Sequence, residues 1–322
     1  MKKLNFQLLI FIAFYLILFA QGCNSRETVE SNKSQDSVTE VSELTYELST
    51  PIYGNFEFDG QKRFYFVYLP ENYSISTKFP LVIYLHSYGA SAEGELNYTM
   101  LNQLAESNNF AMVFPSGKYN WNSGIDDIPD YATPDFDDVG FIRELIEVVS
   151  TTFSIDLDRV YATGYSNGGF MAYQLACQLS DKITAIASVG GSLSDSSFEN
   201  CDSSRPVPIL HIHGTRDEYI PYEGMQGMPP VEETLNYWIE FNECKESKIE
   251  LIDDIDTSDN STVEKHTYSD CNNGSNIVFY KVIDGGHTWP GAGNTGYPAG
   301  YTNQDINANL EIWNFFKEYK LP

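Results

Sequence analysis

The pentapeptide Gly164-Tyr165-Ser166-Asn167-Gly168 has the residue types of a nucleophilic serine site, G-x-S-x-G. The apolar segment 160–163 enters it with the character of a buried strand, and the segment 170–175 leaves it with the character of a helix. A strand–turn–helix connection exposes the serine hydroxyl, and glycines permit the tight turn and the close backbones around it. The start of the helix places free N–H groups beside Ser166, which makes the amide of Asn167 a candidate oxyanion donor. The motif therefore predicts acyl transfer through Ser166.

A serine nucleophile needs a base, and the base needs an acid that orients it. Asp217 follows a predicted strand, and His287 lies in the Gly-rich segment 285–291 between the last predicted strand and the last predicted helix. Loops after the carboxyl ends of parallel strands form the sites of such sheets. The chain order Ser166, Asp217, His287 therefore predicts a triad, with a loop histidine in a local hydrogen bond as the alternative for His287.

Alternating strand and helix segments must hold these residues in place. Short continuous apolar runs predict buried parallel strands at 81–85, 110–114, 160–163, 183–189, 207–212 and 277–283. Helix-length segments lie between them at about 93–107, 137–153, 168–180, 231–242 and 304–319. A β-hairpin is predicted at 55–70, with Asp59-Gly60 at its turn. The pattern predicts one α/β domain over residues 46–322, with a mostly parallel twisted sheet, helices on both faces and an N-terminal hairpin.

Six segments, in order over about residues 60–320, resemble the polyhydroxybutyrate depolymerase and feruloyl esterase family of secreted serine esterases. They are His86-Ser87-Tyr88-Gly89-Ala90-Ser91-Ala92, Trp121-Asn122, Asp137-Asp138-Val139-Gly140-Phe141, Gly164-Tyr165-Ser166-Asn167-Gly168-Gly169, His211-Ile212-His213-Gly214-Thr215-Arg216-Asp217 and Gly286-His287-Thr288-Trp289-Pro290-Gly291. The resemblance implies an α/β-hydrolase fold and hydrolysis of carboxylic esters, with no metal or cofactor. The family's chain order of nucleophile, acid and base is the one found here.

The resemblance also implies a role for each site residue. Ser166 is the nucleophile, His287 is the general base and then the general acid, and Asp217 orients His287. The second oxyanion amide is that of Tyr88. The sequence departs from the family at the preceding position, where Ser87 stands in place of the usual glycine, and we expect this serine to narrow the backbone conformations open to the oxyanion loop.

Other residues that could take part in chemistry also have a structural explanation. Trp121 and Trp289 lie in loops at the predicted site and are expected to line the acyl or alcohol pocket, with core packing as the alternative. His211 and His213 alternate on one strand face as a metal pair does, but no third ligand is evident, and the resemblance implies a structural role. The acidic segment 253–259 lacks the glycine and glutamate of a calcium loop, which favours a solvated loop.

Four cysteines follow Cys23, and an even number in an exported chain indicates two disulfides. They are Cys177, Cys201, Cys244 and Cys271. Three pairings are possible, of which the sequence-local one, 177 with 201 and 244 with 271, is favoured; free buried thiols are the alternative. The spacing does not suit zinc, and the family's paired cysteines support two disulfides.

The N-terminal segment has the features of an export signal. Lys2 and Lys3 precede an unbroken apolar run over 8–20, which is short for a membrane span and matches a secretory signal. The small residues before Cys23 resemble a bacterial lipobox, so residues 1–22 are predicted to be a lipoprotein signal peptide and Cys23 the lipidated residue. The alternatives are an ordinary signal peptide or a retained anchor. Residues 23–45 are polar and predict a disordered tether.

The charge limits the partners of the protein. Among 322 residues there are 19 Lys and Arg against 45 Asp and Glu, for a net charge of −26. Such a chain has no basic face for nucleic acid or anionic lipid, so the predicted membrane contact is the N-terminal lipid alone. The prediction is an exported serine esterase, secreted or anchored at the cell envelope, that acts on feruloyl or acetyl side-chain esters of polysaccharides. The alternatives are a polyhydroxyalkanoate depolymerase, a degenerate surface binding protein and a serine peptidase.

Overall fold

A ten-stranded mixed sheet organises the part of the chain that this computed structural model describes, residues 47–125, 136–293 and 300–322. These residues fall within one compact unit, Tyr46–Pro322. The predicted signal peptide 1–22, the predicted lipidation site Cys23 and the predicted tether 23–45 lie outside the described residues. Within the described ranges, no helix is both long enough and apolar enough to cross a membrane.

The strands are β1 (Pro51–Phe58), β2 (Gln61–Tyr68), β3 (Phe79–Leu85), β4 (Ala111–Pro115), β5 (Ile155–Tyr165), β6 (Ala185–Val189), β7 (Ile209–Gly214), β8 (Glu246–Leu251), β9 (Thr262–Ser269) and β10 (Ile277–Ile283). The helices are α1 (Ala92–Thr99), α2 (Leu101–Asn108), α3 (Asp138–Thr152), α4 (Asn167–Gln178), α5 (Asp195–Glu199), α6 (Val231–Phe241) and α7 (Ala308–Phe316). A short 3₁₀ turn spans Asn272–Gly274.

The strand order is β1-β2-β4-β3-β5-β6-β7-β10-β9-β8. The six strands from β4 to β10 are parallel, whereas β1 and β2 at one edge and β9 and β8 at the other are antiparallel. The predicted hairpin is confirmed as β1–β2, with positive φ at Asp59 and Gly60 as a type I′ turn requires. The α/β-hydrolase fold class is confirmed, with its mostly parallel sheet.

Alternate residues of the central strands face two separate apolar layers, which explains why these strands are apolar throughout. Leu81 and Ile83 of β3 belong to a layer that includes residues of α3, α4 and α6. Val82 and Tyr84 belong to a second layer, which includes residues of α1, α2 and α7. Helices therefore cover both faces of the sheet, as the sequence predicted.

The structure differs from the predicted elements in two places. The single helix predicted at 93–107 is divided into α1 and α2 at Met100, which takes a left-handed φ of 52°. The side chain of Asn309 donates to the carbonyl of Thr99 and so satisfies the end of α1 (2.6 Å). The sequence reasoning also missed β8 and β9, because β8 is exposed along its whole length and carries charged residues suited to a sheet edge.

Candidate active site

Ser166 lies at the turn between β5 and α4 in a conformation that few residues adopt. Its φ is 56° and its ψ is −120°, outside the regions favoured by side chains with a Cβ. Its N–H donates to the carbonyl of Val189 at the end of β6 (2.8 Å), which holds the turn against the sheet. A Cβ at Gly168 would lie 2.0 Å from the carbonyl oxygen of Leu85, so only glycine lets α4 approach β3 this closely. The glycine-rich motif therefore forms the strained strand–turn–helix connection that a nucleophile elbow requires.

Asp217 and His287 meet at the carboxyl ends of neighbouring parallel strands. Asp217 follows β7, His287 follows β10, and β7 pairs with β10. His287 Nδ1 lies 2.6 Å from Asp217 Oδ2 and donates its proton, since the carboxylate can only accept. The other carboxylate oxygen accepts the N–H groups of Tyr219 (2.9 Å) and Ile220 (2.8 Å). Both side chains are buried, so the pair is shielded from water.

The imidazole of His287 is held against the residues that flank Ser166. It stacks on the Tyr165 ring with 4.9 Å between centroids, and the Tyr165 hydroxyl donates to the His287 carbonyl (2.5 Å). A Cβ at Gly190 would lie 3.1 Å from its Nδ1 and Cε1 atoms, so this glycine makes room for the ring. Tyr165 directly precedes Ser166. Gly190 directly follows Val189, whose carbonyl accepts the Ser166 N–H. The structure thus brings the three predicted triad residues to one edge of the sheet.

The two predicted oxyanion donors lie at the same edge. Asn167 is the first residue of α4, where backbone N–H groups have no partner within the helix. Its side chain is fixed, because Oδ1 accepts the N–H of Trp121 (2.8 Å) and Nδ2 donates to Ser123 Oγ (3.0 Å). Tyr88 lies in the loop between β3 and α1, and the next residue, Gly89, donates its N–H to Asn120 Oδ1 (3.1 Å). Both residues therefore follow the carboxyl ends of two parallel strands, β3 and β5, that pair with each other.

A buried carboxylate that the sequence reasoning did not single out supports this oxyanion loop. Glu95 of α1 accepts the Ser87 N–H (3.2 Å) and the Ser87 hydroxyl through Oε1, and the Tyr84 hydroxyl through Oε2 (2.9 Å). Burial and the negative charge of Glu95 raise the pKa of Tyr84 well above its usual value. Ser87 does not have a positive φ, so a serine at this position needs no strain. The departure from glycine therefore adds one hydrogen bond, from the Ser87 hydroxyl to Glu95, at a backbone conformation that serine adopts without strain.

His86 has a structural part in the same loop. Its Nδ1 donates to the Ser87 carbonyl (2.9 Å) and its Nε2 accepts the N–H of Gly117 (2.9 Å), so the ring is neutral and joins the loops after β3 and β4. Burial lowers the pKa of His86, which favours this neutral form. Its carbonyl accepts the indole N–H of Trp121 (2.9 Å).

The expectation that two tryptophans line the substrate pocket was wrong. Trp121 and Trp289 are both 0% exposed. The indole N–H of Trp121 is used by His86, as described above, and that of Trp289 donates to Asn309 Oδ1 (2.9 Å). The Trp121 ring packs against that of His86 (5.0 Å between centroids) and the Trp289 ring against that of Tyr165 (6.3 Å), so both support the loops that carry the site. Tyr219 takes the exposed position instead, with its ring centroid 5.4 Å from that of His287 and nearly half of its surface exposed.

The favoured disulfide pairing is confirmed. Cys177, in α4, is bonded to Cys201, and Cys244 is bonded to Cys271. The first bond ties the helix that begins at the nucleophile to the segment after α5. The second ties the end of α6 to the segment after β9.

The acidic segment makes hydrogen bonds within its own loop and to the segment that precedes α7. Asp256 Oδ1 accepts the N–H of Ser258 (3.1 Å), and Asp259 accepts the N–H groups of Ser261 (2.8 Å) and Gln304 (2.7 Å). Among the described residues, no three or more His, Cys, Asp or Glu side chains are grouped as a metal site.

The sequence and the fold are similar to those of known esterases. Residues 137–266 match the phospholipase and carboxylesterase family. The chain is 28% identical over 222 residues to a bifunctional acetylxylan esterase/xylanase of Neocallimastix patriciarum, covering 69% of this chain and 30% of that protein. It is 26% identical over 273 residues to feruloyl esterase D of Neurospora crassa, covering 81% of this chain and 83% of that protein.

A solved structure shares the fold. The acetyl xylan esterase from Aspergillus awamori has a TM-score of 0.56 to this chain at 14% sequence identity, covering 79% of this chain and 94% of the other. The fold is therefore that of the α/β-hydrolases, and the chain is similar in sequence to carboxylesterases, among them the feruloyl and acetylxylan esterases.

Proposed function

We propose that the protein hydrolyses esters through a triad of Ser166, His287 and Asp217. The observation that carries the proposal is the buried 2.6 Å contact between His287 Nδ1 and Asp217 Oδ2, at the same sheet edge as the strained Ser166. This contact fixes the tautomer of His287, because Nδ1 must carry the proton and Nε2 is left free to act as a base.

The reaction follows from these positions. Ser166 Oγ attacks the ester carbonyl carbon while His287 Nε2 takes the hydroxyl proton, and the carbonyl oxygen becomes an oxyanion beside the amides of Asn167 and Tyr88. The tetrahedral intermediate collapses when the C–O bond to the alcohol breaks, and the alcohol leaves with the proton from His287. Water then attacks the acyl-enzyme with His287 again as base, which releases the acid and restores Ser166. Each oxyanion donor is expected to contribute about 10²–10³ in rate.

We infer that the substrate is a feruloyl or acetyl side-chain ester of a polysaccharide. The relatives described above support this class, since they are named as feruloyl and acetylxylan esterases. Exposed tyrosines on three loops that carry the site add support: Tyr88 precedes the anchored Gly89, Tyr219 lies against His287, and the Tyr301 carbonyl accepts the N–H of Gly286 (3.0 Å). Their rings offer flat, apolar faces on which a sugar or an aromatic acid can stack.

We also propose that the protein is exported and anchored by a lipid on Cys23. Two disulfides support an oxidising compartment outside the cytosol. The charged, apolar and small-residue segments before Cys23 supply the corresponding signal. Labelling of cells with a fatty-acid analogue should mark the wild-type protein and leave Cys23→Ser unmarked; equal labelling of both would contradict the anchor.

The ester reaction is tested with the full chain and two serine variants. The panel contains p-nitrophenyl acetate, p-nitrophenyl butyrate, methyl ferulate, feruloylated and acetylated xylan, and polyhydroxybutyrate particles. We expect turnover of the small esters and release of ferulate or acetate from xylan. Ser166→Ala should abolish both activities. The control is Ser180→Ala, which removes a buried hydroxyl that bonds Ser204, and it should remain active.

The outcomes separate the alternatives. Release of hydroxybutyrate from the particles without release from xylan would favour the polyester depolymerase. Peptide cleavage without ester cleavage would favour a peptidase. If no substrate is turned over and a fluorophosphonate fails to label Ser166, the triad proposal is wrong, and a degenerate surface binding protein becomes the better explanation.

A further inference from the structure

Two buried histidines that the proposed reaction does not use lie directly behind the acid–base pair. His211 and His213 occupy alternate positions on β7, and both are essentially inaccessible to solvent. Their rings are parallel, with 5.4 Å between centroids, and His211 Nε2 lies 3.2 Å from His213 Nδ1. The Tyr173 hydroxyl of α4 lies 2.7 Å from His211 Nδ1 at one end of this pair. At the other end, His213 Nε2 lies 2.8 Å from the carbonyl oxygen of Ile220.

A row of hydrogen bonds runs from Tyr173 through His211 and His213 to the Ile220 carbonyl. That carbonyl fixes the direction of every hydrogen bond in the row. A carbonyl oxygen only accepts, so His213 Nε2 must carry a proton. A neutral imidazole has one N–H, which leaves His213 Nδ1 as an acceptor and requires His211 Nε2 to donate to it. His211 Nδ1 is then bare and accepts the hydroxyl proton of Tyr173. Burial lowers the pKa of both histidines, which keeps them in this neutral state.

The surroundings of the row are aromatic rather than charged, except at its Asp217 end. The Phe279 ring of β10 lies 5.6 Å from that of His211, and the Tyr222 ring lies 6.2 Å from that of His213. Asp217 Oδ2 lies 3.4 Å from His213 Nε2. The two nitrogens of each imidazole are thus both occupied by partners within the protein, which leaves neither ring free to bind a metal.

The row ends on the turn that holds the acid. Ile220 gives its carbonyl to His213 and its N–H to Asp217 Oδ1 (2.8 Å), so the position of one residue depends on both contacts. If the tautomer of His213 reversed, the bare Nε2 lone pair would face the Ile220 carbonyl and Asp217 Oδ2, which are both acceptors. The resulting repulsion would displace the turn and with it the carboxylate that orients His287.

We propose that Tyr173, His211 and His213 form a one-directional hydrogen-bond relay that positions the Asp217 carboxylate, and through it His287. The three are positioning residues that do not contact substrate. The relay rests on the proposed function only for its effect on turnover, because its hydrogen-bond arrangement is a property of the resting protein.

The test removes the hydroxyl that begins the relay. Tyr173→Phe keeps the ring and its packing but leaves His211 Nδ1 without its donor. The Ile220 carbonyl still requires the proton on His213 Nε2, so both tautomers should be kept while the buried lone pair of His211 Nδ1 loses its hydrogen bond. The matched control is Tyr161→Phe, which removes the hydroxyl of another buried tyrosine that donates to the Tyr319 carbonyl (2.6 Å) instead. Ring ¹⁵N chemical shifts report which nitrogen of each histidine carries the proton, and the downfield Nδ1 proton of His287 reports its bond to Asp217.

In the wild-type protein we expect protonated Nε2 and bare Nδ1 at both His211 and His213. In Tyr173→Phe, the ¹⁵N shift of His211 Nδ1 should move downfield, because this bare nitrogen loses its hydrogen-bond donor, and the His287 proton should shift upfield, because the weakened row holds Asp217 less firmly. The kcat on a soluble ester should fall about tenfold with KM unchanged, less than the ~10²-fold cost of a 1 Å misplacement. Tyr161→Phe should leave all of these unchanged.

A second pair of variants separates the relay from mere packing. His213→Gln can still accept from His211 and donate to Ile220, so it should retain most of the kcat. His213→Leu can do neither and should lose more of it. The relay is wrong if wild-type His213 carries its proton on Nδ1, if Tyr173→Phe leaves the ring shifts and the His287 proton unmoved, or if His213→Gln and His213→Leu are equally impaired. A wild-type protein with the expected resonances but no ester turnover would instead refute the proposed function and support the relay.

Discussion

Replacement of Glu95 by alanine is expected to damage both stability and the oxyanion loop. The wild-type carboxylate is 3% exposed and accepts the Ser87 N–H, the Ser87 hydroxyl and the Tyr84 hydroxyl. In Glu95→Ala, the Ser87 N–H and the Tyr84 hydroxyl remain buried without an acceptor. Each unsatisfied buried donor costs about 1–3 kcal/mol, so the free energy of unfolding should fall by about 2–6 kcal/mol.

The catalytic loss should exceed what the stability loss explains. Ser87 directly precedes Tyr88, whose amide is the proposed second oxyanion donor, so a loosened loop misplaces that donor. Loss of one oxyanion donor costs about 10²–10³ in kcat, and KM should change little, because the interaction is strongest in the transition state. Glu95→Gln keeps one acceptor oxygen, so its kcat should lie between those of the wild type and Glu95→Ala.

The assay combines urea unfolding followed by tryptophan fluorescence with ester kinetics under conditions where each variant is folded. Glu106→Ala is the matched control, because Glu106 also accepts a tyrosine hydroxyl (Tyr68, 2.6 Å) and a backbone N–H (Glu71, 2.9 Å) but does not contact the oxyanion loop. Glu106→Ala should be less destabilised than Glu95→Ala and should keep the kcat of the wild type. The reasoning is refuted if folded Glu95→Ala retains a kcat within about twofold of the wild type, since the donor geometry would then not depend on this carboxylate.

Three further predictions follow from the same structure. Asp217→Asn should lower kcat about 10⁴-fold, because an amide can donate to His287 Nδ1 and favour the wrong tautomer; a kcat near that of the wild type would contradict the triad. Gly168→Ala places a Cβ 2.0 Å from the Leu85 carbonyl oxygen and should destabilise the protein by about 1–3 kcal/mol or more in urea unfolding, whereas Gly293→Ala, which meets nothing within 4 Å, should not. Burial lowers the pKa values of three imidazoles, those of His86, His211 and His213. Below the unfolded-state pKa of about 6.5 the unfolded chain binds protons that the folded chain does not, so stability is lost as pH falls, by up to about 1.4 kcal/mol per pH unit for each histidine. NMR titration should show each of these three rings taking up its proton below the usual pKa of about 6.5, and protonation of any of them at or above that pKa would contradict the interpretation.

Much of the site could be predicted because its residues carry strong local signals. G-x-S-x-G between an apolar strand and an apolar helix leaves few structures for Ser166, and the loops after two later strands supply Asp217 and His287. Parallel strands place these loops at one edge, so residues 51 and 70 positions apart in the chain come together. The sequence-local disulfides are predictable for a related reason, since short loops close easily.

Other features depend on contacts that no local pattern records. Glu95 has the same sequence character as any acidic residue in the first turn of a helix, and only the packing of α1 against the loop after β3 buries it beside Ser87 and Tyr84. Trp121 and Trp289 are buried for the same kind of reason, because the loops that carry them fold inward beneath the site. The strands β8 and β9 extend the sheet by pairing with β10 and with each other, although their own residues are largely polar.

By itself, the sequence determined the alternating order of strands and helices, the turn at Ser166 and the candidate acid and base, and it favoured the disulfide pairs. Each of these depends on residue type within a few positions or on the order of strands along the chain. Only the tertiary structure decided which polar side chains are buried and what they bond. The relay from Tyr173 to Ile220 is the clearest case, because its direction depends on a carbonyl oxygen brought to His213 by a turn seven residues later. Hydrogen-bond partners across a fold are set by distance and burial, and neither quantity is written in the order of the residues.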